Sequence, residues 1–377
     1  MKASSDVIVI GGGALGMLSA RCLAAAGRKV LLLERGRAGY GTSRAGGGIM
    51  SPLTPWNVAA PVARLAEQSL PLLPALAAAL AQDTGIDPEY RVTGVIYLDC
   101  AELEPALDFC RGQGRPAELL DESRLAQVAP AARRTPGPSL LLPDVAQLRN
   151  PRFLDALKAD LQRRGVAVLE EAGEVRLRRN GDGIVVDAGR RGLLRAADVV
   201  VAAGAWSAPL LAALGVQLPV RPIRGQILWY MLPRPDLGHI LMRGGRYVIP
   251  RQEGVVLVGS TVEDAGFDTR TTADAAAELR DAAAEMMPLL GSLAVQGQWA
   301  GLRPGTPDGI PLIGAVPGIE GLWLNTGHFR NGVNLAPASA ELLAALLAGS
   351  SPALDPAPYD PAARMAQMDA GAYTSTD

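Results

Sequence analysis

The chain has 377 residues, 49% of them apolar and 4% aromatic, and a net charge of −2. That length suggests two domains whose cores need no disulfides or metals, and the near-neutral balance excludes a whole-molecule pull onto nucleic acid or anionic lipid. Chemistry-bearing residues are few: Lys2, Lys29 and Lys158 against thirty-three Arg, two His (His239 and His328) and three Cys (Cys22, Cys100 and Cys110).

Residues 6–10 form a short apolar run rich in β-branched side chains and predict a strand buried on both faces. A glycine turn leads into a helix over 14–26 with Gly27 after it, and 29–33 predict a second strand ending at Glu34. This strand–turn–helix–strand unit is of the parallel α/β type. Lys2 before an apolar stretch imitates a secretory signal, but three glycines and Arg21 interrupt it. The longest other apolar run, 70–81, carries Pro71 and Pro74 and falls short of the ~18–20 residues that span a bilayer, so no membrane span is expected. Residues 57–83 read as a helix with proline interruptions, 94–99 as a strand, and 101–143 as a Pro-, Gly- and charge-rich stretch. An amphipathic helix over 153–164 is entered through Asn150-Pro151.

Strands follow at 166–169, 183–187 and 198–203, and those at 226–231, 246–250 and 255–259 have the spacing of an antiparallel sheet. A long helix covers 272–290. A strand at 322–325 runs into a glycine loop and a last helix ending near Leu347. The pattern predicts an α/β fold: a Rossmann-like parallel α/β domain assembled from 1–85, 146–218 and 301–365, an inserted antiparallel-sheet (α+β) domain from 86–145 and 219–300, and a disordered tail at 366–377. The three Cys, spaced 78 and 10 apart, fit buried thiols in a reducing cytoplasm better than a disulfide framework.

The scarce residue types exclude much. Neither His has a Cys, His or acidic cluster at ligand spacing, no Lys follows a glycine run as a P-loop requires, and no Lys has a Schiff-base context. An enzyme built this way needs a cofactor. Gly11-Gly12-Gly13-Ala14-Leu15-Gly16 fits G-x-G-x-x-G between strand and helix. Gly11 permits the tight turn, Gly13 admits a diphosphate to the backbone, and Gly16 lets helix and strand approach. The diphosphate then rests on the helix N-terminus. Glu34, at the end of the second strand, is placed to accept hydrogen bonds from a ribose and disfavours a 2′-phosphate. Thr42 and Ser43 offer hydroxyls to phosphate or ribose. Gly46-Gly47-Gly48 reads either as a platform for a flat ring or as a flexible loop.

The chain resembles the glycine oxidase branch of the D-amino-acid oxidase family of FAD-dependent amine oxidases. The resemblance covers nearly its whole length. It is most specific at Trp299-Ala-Gly-Leu-Arg303-Pro-Gly-Thr306-Pro307-Asp308-Gly309 and at Gly327-His-Phe-Arg330-Asn-Gly332 with Leu335-Ala-Pro337; Asp198 to Ser207 and Arg246-Tyr247-Val-Ile-Pro250-Arg251 also match. The resemblance implies FAD as cofactor, with Ala14, Leu15, Glu34, Arg35, Thr42, Ser43, Gly47, Gly48 and Ile49 at FAD-contacting positions beside Gly11, Gly13 and Gly16. It implies a backbone contact at Val175 and a flavin-side loop made of His328, Phe329, Arg330, Asn331, Gly332, Val333 and Asn334. Arg303 aligns with the carboxylate anchor, Tyr247 with the hydroxyl that assists it, and Arg330 with a second substrate-side Arg.

The residues also carry a reading of their own. Oxidising an amino acid at a flavin needs a free amine lone pair, a Cα–H aimed at the ring and a fixed carboxylate, so orientation is most of the protein's contribution. An Arg fork suits a carboxylate. Arg303, placed on a turn by Gly301 and Pro304-Gly305, reads either as that anchor or as an Arg paired with Asp308 or capping carbonyls. Tyr247 reads either as a substrate hydroxyl or as a packed strand aromatic. His328 reads as a cofactor-packing residue rather than a general base, and no residue is expected to act as a catalytic acid or base. The helix after Gly332, with Pro337 in its first turn, would set positive dipole where the reduced ring gains charge.

Related sarcosine oxidases bind flavin through a Cys near the place of Arg303; none of the three Cys lies there, so non-covalent FAD is expected. Residues 259–262 and 50–52, on the expected substrate side, differ from the family pattern and leave open glycine, sarcosine, D-alanine or cyclic amines. The resemblance thus implies oxidative deamination of a small amino acid with molecular oxygen, giving an imine, a 2-oxo acid, ammonia and hydrogen peroxide. It also implies a place in thiamine thiazole formation and a homo-oligomer; the cysteines point to a cytoplasmic location and the charge balance to no nucleic-acid partner. The alternatives are a dehydrogenase passing electrons to a quinone or carrier, an NAD-linked enzyme, and a flavin-binding module without turnover.

Overall fold

The computed structural model describes residues 5–181, 183–233 and 237–369. Two large sheets organise it. The first has six strands in the order Leu312–Ala315, Leu322–Thr326, Asp198–Val201, Val7–Ile10, Val30–Leu33 and Ala167–Leu169, all parallel except the first pair. Val7–Ile10 lies at its centre with every residue buried, because strands hydrogen-bonded on both edges and covered on both faces must be apolar throughout. Alternation splits the strand between two cores. Val7 and Val9 pack with Met17, Phe153 and Leu343 of the helices Ala14–Ala25, Asn150–Arg163 and Ala336–Leu347. Ile8 and Ile10 pack with Leu177 and Val186 of the small antiparallel meander Arg176–Asn180, Gly183–Asp187 and Leu193–Arg195.

The second sheet has eight strands in the order Gly297–Gly305, Arg221–Met231, Val255–Gly259, Arg246–Pro250, Ile240–Arg243, Val95–Tyr97, Ser139–Leu142 and Glu118–Leu120. It is antiparallel apart from the pairing of Ile240–Arg243 with Val95–Tyr97. One face carries the helix Ala273–Met286 through Leu279, Ala283 and Met286. The other holds Ile227, Tyr247 and Ile249 and meets Ile49 from the first part of the chain.

Residues 101–143, read from sequence only as Pro-, Gly- and charge-rich, hold the helices Leu103–Gly112 and Glu122–Val128 and two strands of the large sheet; short elements and many charges hid the periodicity. Two expectations require correction. Arg303 stands on no turn; it lies in the nine-residue strand Gly297–Gly305, which crosses the expected boundary at residue 300. Its glycines serve close approach: a Cβ at Gly301 would lie 2.7 Å from the Ala45 Cβ, and one at Gly305 2.8 Å from Ile223. The start of the expected tail is helical, in Pro361–Asp369, and the rest of it lies outside the described residues.

Candidate active site

A cavity of about 650 Å³ runs from the carboxyl ends of the central parallel strands to the inner face of the large sheet. Ligands of open α/β sheets sit at such strand ends. Of the residues singled out from sequence, Gly11, Gly13, Leu15, Glu34, Arg35, Thr42, Ser43, Gly47, Gly48, Ile49, Val175, Tyr247, Arg303 and all of 328–334 line it. Ala14 and Gly16 do not. Gly16 is a packing residue, since a Cβ there would lie 1.8 Å from the Gly11 carbonyl oxygen. Gly11 itself has φ +116°, and a Cβ on it would lie 2.3 Å from the Ala202 carbonyl oxygen.

At one end, the helix Ala14–Ala25 begins at Gly13 with no side-chain cap and no acid in its first turn, which leaves its N-terminal donors and dipole to an anion. The Ala14 N–H donates to Ser43 Oγ at 3.1 Å, so the Ser43 hydroxyl hydrogen remains available. Thr42 donates its own to the Leu302 carbonyl at 2.7 Å. Glu34 is held rigidly: Gly12 N–H donates to Oε2 at 2.7 Å and Gly36 N–H to Oε1 at 2.9 Å. Each oxygen keeps a lone pair for a sugar hydroxyl. Arg35 lies 3.8 Å over the Trp206 ring.

In the middle, Gly46, Gly47 and Gly48 present backbone to the cavity because their Cβ side is filled by protein. A Cβ would meet Asn150 Nδ2 at 2.8 Å from Gly46, Ile249 Cδ1 at 2.8 Å from Gly47 and the Leu148 carbonyl oxygen at 2.2 Å from Gly48. The segment is therefore a packed platform and not a flexible loop. Asn150 also donates to the Ser43 carbonyl at 2.7 Å.

At the far end, Arg303 donates from Nη2 to Ser260 Oγ at 2.7 Å and from Nη1 to the Thr261 carbonyl at 3.1 Å. Its guanidinium lies over Gly225, where a Cβ would fall 2.1 Å away. Asp308 pairs instead with Arg364 at 2.5 Å, and among the described residues Arg303 has no carboxylate partner. Burial lowers its pKa to about 10, so it stays charged at neutral pH. The Tyr247 ring fits against Gly259, where a Cβ would lie 2.7 Å from it. Burial lowers the Arg330 pKa as well, although its side chain is open to the cavity.

His328 is fully buried with Nε2 at 2.8 Å from Ser339 Oγ. Ser339 gives its only hydroxyl hydrogen to the Leu335 carbonyl at 2.9 Å, so His328 Nε2 must carry the proton, and Nδ1 is left without a partner. Burial drops its pKa to about 3, and a neutral ring of such low basicity is a poor proton acceptor. The helix Ala336–Leu347 starts just beyond Val333 and Asn334, with no side-chain cap and with Asn334 Oδ1 buried and unpartnered.

Sequence reasoning missed Asn150 as a site residue, although its place before a helix-starting proline gave a local signal, and it named Ser260 only within the substrate-side run 259–262, not as the partner of Arg303. The substrate-side expectation for 50–52 and 259–262 meets the cavity at Met50, Ser51 and Ser260. None of the three Cys lines it, and all three are free thiols. Among the described residues no group of three or more His, Cys, Asp or Glu could hold a metal, and no helix is long and apolar enough to cross a membrane.

The open helix end, the fixed Glu34, the packed glycine platform and the orphaned buried polar atoms fit a dinucleotide with a flat ring. Comparison with known proteins agrees. A family model described as FAD dependent oxidoreductase matches residues 6–346. A glycine oxidase of Pseudomonas aeruginosa is 45% identical over 96% of this chain and the whole of that protein. A bifunctional protein ThiO/ThiG of Nostoc is 29% identical over 91% of this chain and 52% of its own length. The crystal structure of glycine oxidase from Geobacillus kaustophilus superposes with a TM-score of 0.90 at 32% identity, covering 95% of this chain and 98% of that one.

Proposed function

The chain belongs to the family of FAD-dependent oxidoreductases, and on that premise we propose that it deaminates glycine, or a small relative such as sarcosine or D-alanine, by oxidation with molecular oxygen. The products are an imine, which hydrolyses to the 2-oxo acid and ammonia, and hydrogen peroxide. FAD, held without a covalent bond by Gly11, Gly13, Glu34, Ser43 and the Gly46–Gly48 platform, takes the hydride equivalent when bound.

Everything else falls to the protein. Arg303 is the carboxylate anchor: its fork is fixed from behind by Ser260 and the Thr261 carbonyl, and among the described residues no carboxylate pairs with it. That observation carries the reading. Tyr247 supplies a hydroxyl beside the anchor, and Arg330 adds a second positive charge open to the cavity. A carboxylate so held turns the substrate Cα in one direction only. The neutral amine is required for imine formation, and two guanidiniums in the cavity lower the cost of losing the ammonium proton. His328 takes no proton; it packs the flavin-side loop. A role in thiamine thiazole formation is supported by the likeness to the ThiO/ThiG proteins.

Anaerobic addition of glycine to the purified yellow protein should bleach it, and air should restore the colour with release of peroxide. A colourless protein, or one that glycine, sarcosine and D-alanine all leave yellow, would sink the proposal; bleaching without recovery in air would make it a dehydrogenase. Arg303→Lys, which loses the fork and keeps the charge, should raise KM by about 10²-fold or more, and an unchanged KM would reject the anchor.

A further inference from the structure

Arg251 follows the strand Arg246–Pro250, four residues after Tyr247, yet it does not line the cavity. Its guanidinium lies behind the glycine platform. Nη1 donates to Gln147 Oε1 at 2.7 Å, Nη2 donates to the Gly47 carbonyl, and the fully enclosed Nε has no partner. Glu89, the acid that acts on it from a distance, is already paired with Arg149 and Arg152. A cation is thus enclosed one layer behind the cavity wall, without a carboxylate of its own among the described residues.

The peptide geometry gives this a direction. Gly47–Gly48 is trans, so the Gly48 N–H points opposite to the Gly47 carbonyl. The carbonyl faces Arg251, so the N–H faces the cavity. Among the described residues it has no acceptor, while the Gly48 carbonyl is occupied by Leu148 N–H at 2.9 Å. A positive charge on a carbonyl polarises its peptide and makes the N–H a stronger donor.

We propose that Arg251 is a positioning residue for the cofactor: it locks the Gly47–Gly48 peptide with the N–H aimed into the cavity and sets a fixed positive charge behind it, so that the site holds reduced FAD more tightly than oxidised FAD. The inference rests on the proposed function. Reduction adds two electrons and one proton to FAD and leaves the ring with one more negative charge, and an enclosed cation nearby favours that state. Arg251 neither touches the substrate nor moves a proton. Burial lowers its pKa to about 10, so it is charged throughout the neutral range.

The test is the two-electron midpoint potential of the bound FAD, measured on the holoenzyme by anaerobic dye titration near neutral pH, in wild type, Arg251→Met and Arg251→Lys. Arg251→Met should lose about tenfold of the preference for reduced FAD, a drop of roughly 30 mV, and Arg251→Lys should recover most of it. A structural role alone would lower the melting temperature and leave the potential where it was, which overturns the inference. If the Met variant does not fold, Arg251→Gln keeps a donor to Gly47 without the charge; a loss of at least threefold supports the inference and an unchanged potential overturns it. A wild-type protein that binds no FAD overturns the proposed function and this inference together. A wild type that glycine bleaches, with variants of unaltered potential, overturns this inference alone.

Discussion

His328 shows how burial decides a residue's chemistry. Its ring is enclosed, carries its proton on Nε2 toward Ser339 and has its pKa pushed down to about 3. The unfolded ring has an ordinary pKa near 6.5, so the unfolded chain binds a proton that the fold refuses. Stability therefore falls as pH drops from 7, and between pH 7 and pH 5 this one residue accounts for about 2 kcal/mol of the loss. His328→Asn should flatten that part of the pH–stability curve in urea unfolding at the two pH values. An identical slope in the variant would show the ring is protonated in the fold. The sequence placed His328 in a glycine loop, and the structure sets it on the cavity wall, but its neutrality was not legible because Ser339 comes from the following helix and only the fold supplies the enclosure. The bond between Ser260 and Arg303 was hidden for the same reason, although the run 259–262 was placed on the substrate side. The two are 43 residues apart, and no local pattern marks a serine that will meet an arginine on the far edge of a sheet.

At the level of elements, the clearest signal in the sequence was the strand–glycine–helix unit, because its geometry is local. Gly11 and Gly16 answer to atoms within the unit or just past its neighbouring strand, and Gly13 faces the Ser43 hydroxyl. Gly16→Ala would set a Cβ 1.8 Å from the Gly11 carbonyl oxygen and push the helix off the strand. We expect about 1–3 kcal/mol of destabilisation and loss of FAD on gel filtration; a variant that retains FAD and its melting temperature would refute the packing role. The strand Gly297–Gly305 was missed because glycines and a proline read as a turn. It forms because the long strand Arg221–Met231 offers it a continuous partner from Trp229 down to Arg221. Tertiary pairing overrode local propensity there.

The whole molecule places two sheets of different origin around one cavity, and neither makes a complete site. The parallel sheet contributes the helix end and Glu34, the large sheet Arg303 and Tyr247, and the segment around Gly46–Gly48 lies between them. The sequence made the α/β class legible through its buried strands, and it assigned 86–145 to the antiparallel part. The individual elements inside 101–143 went unread, since their strands are three or four residues long. A cofactor that contacts both sheets should stabilise both. At 100 times its Kd, free FAD should add about 2.7 kcal/mol, and the melting temperature should rise with FAD concentration in one transition. Two transitions, only one of them responding to FAD, would show that the sheets unfold independently.

The hydrogen bonds from Thr42 to the Leu302 carbonyl and from Trp299 Nε1 to the Ala45 carbonyl fasten the cofactor segment to the strand that carries Arg303. Descent with changed appetite must work around that fastening. A larger amine cannot be admitted by shifting the anchor strand, because Gly301 already touches Ala45 and Gly225 already touches the guanidinium. Room has to come from Met50 or Ser51, which meet the cavity from outside the fastened pair. Lineages that took up other amines from this scaffold should carry their variation at those two positions and hold still at Gly225, Gly301, Ser260 and Arg303.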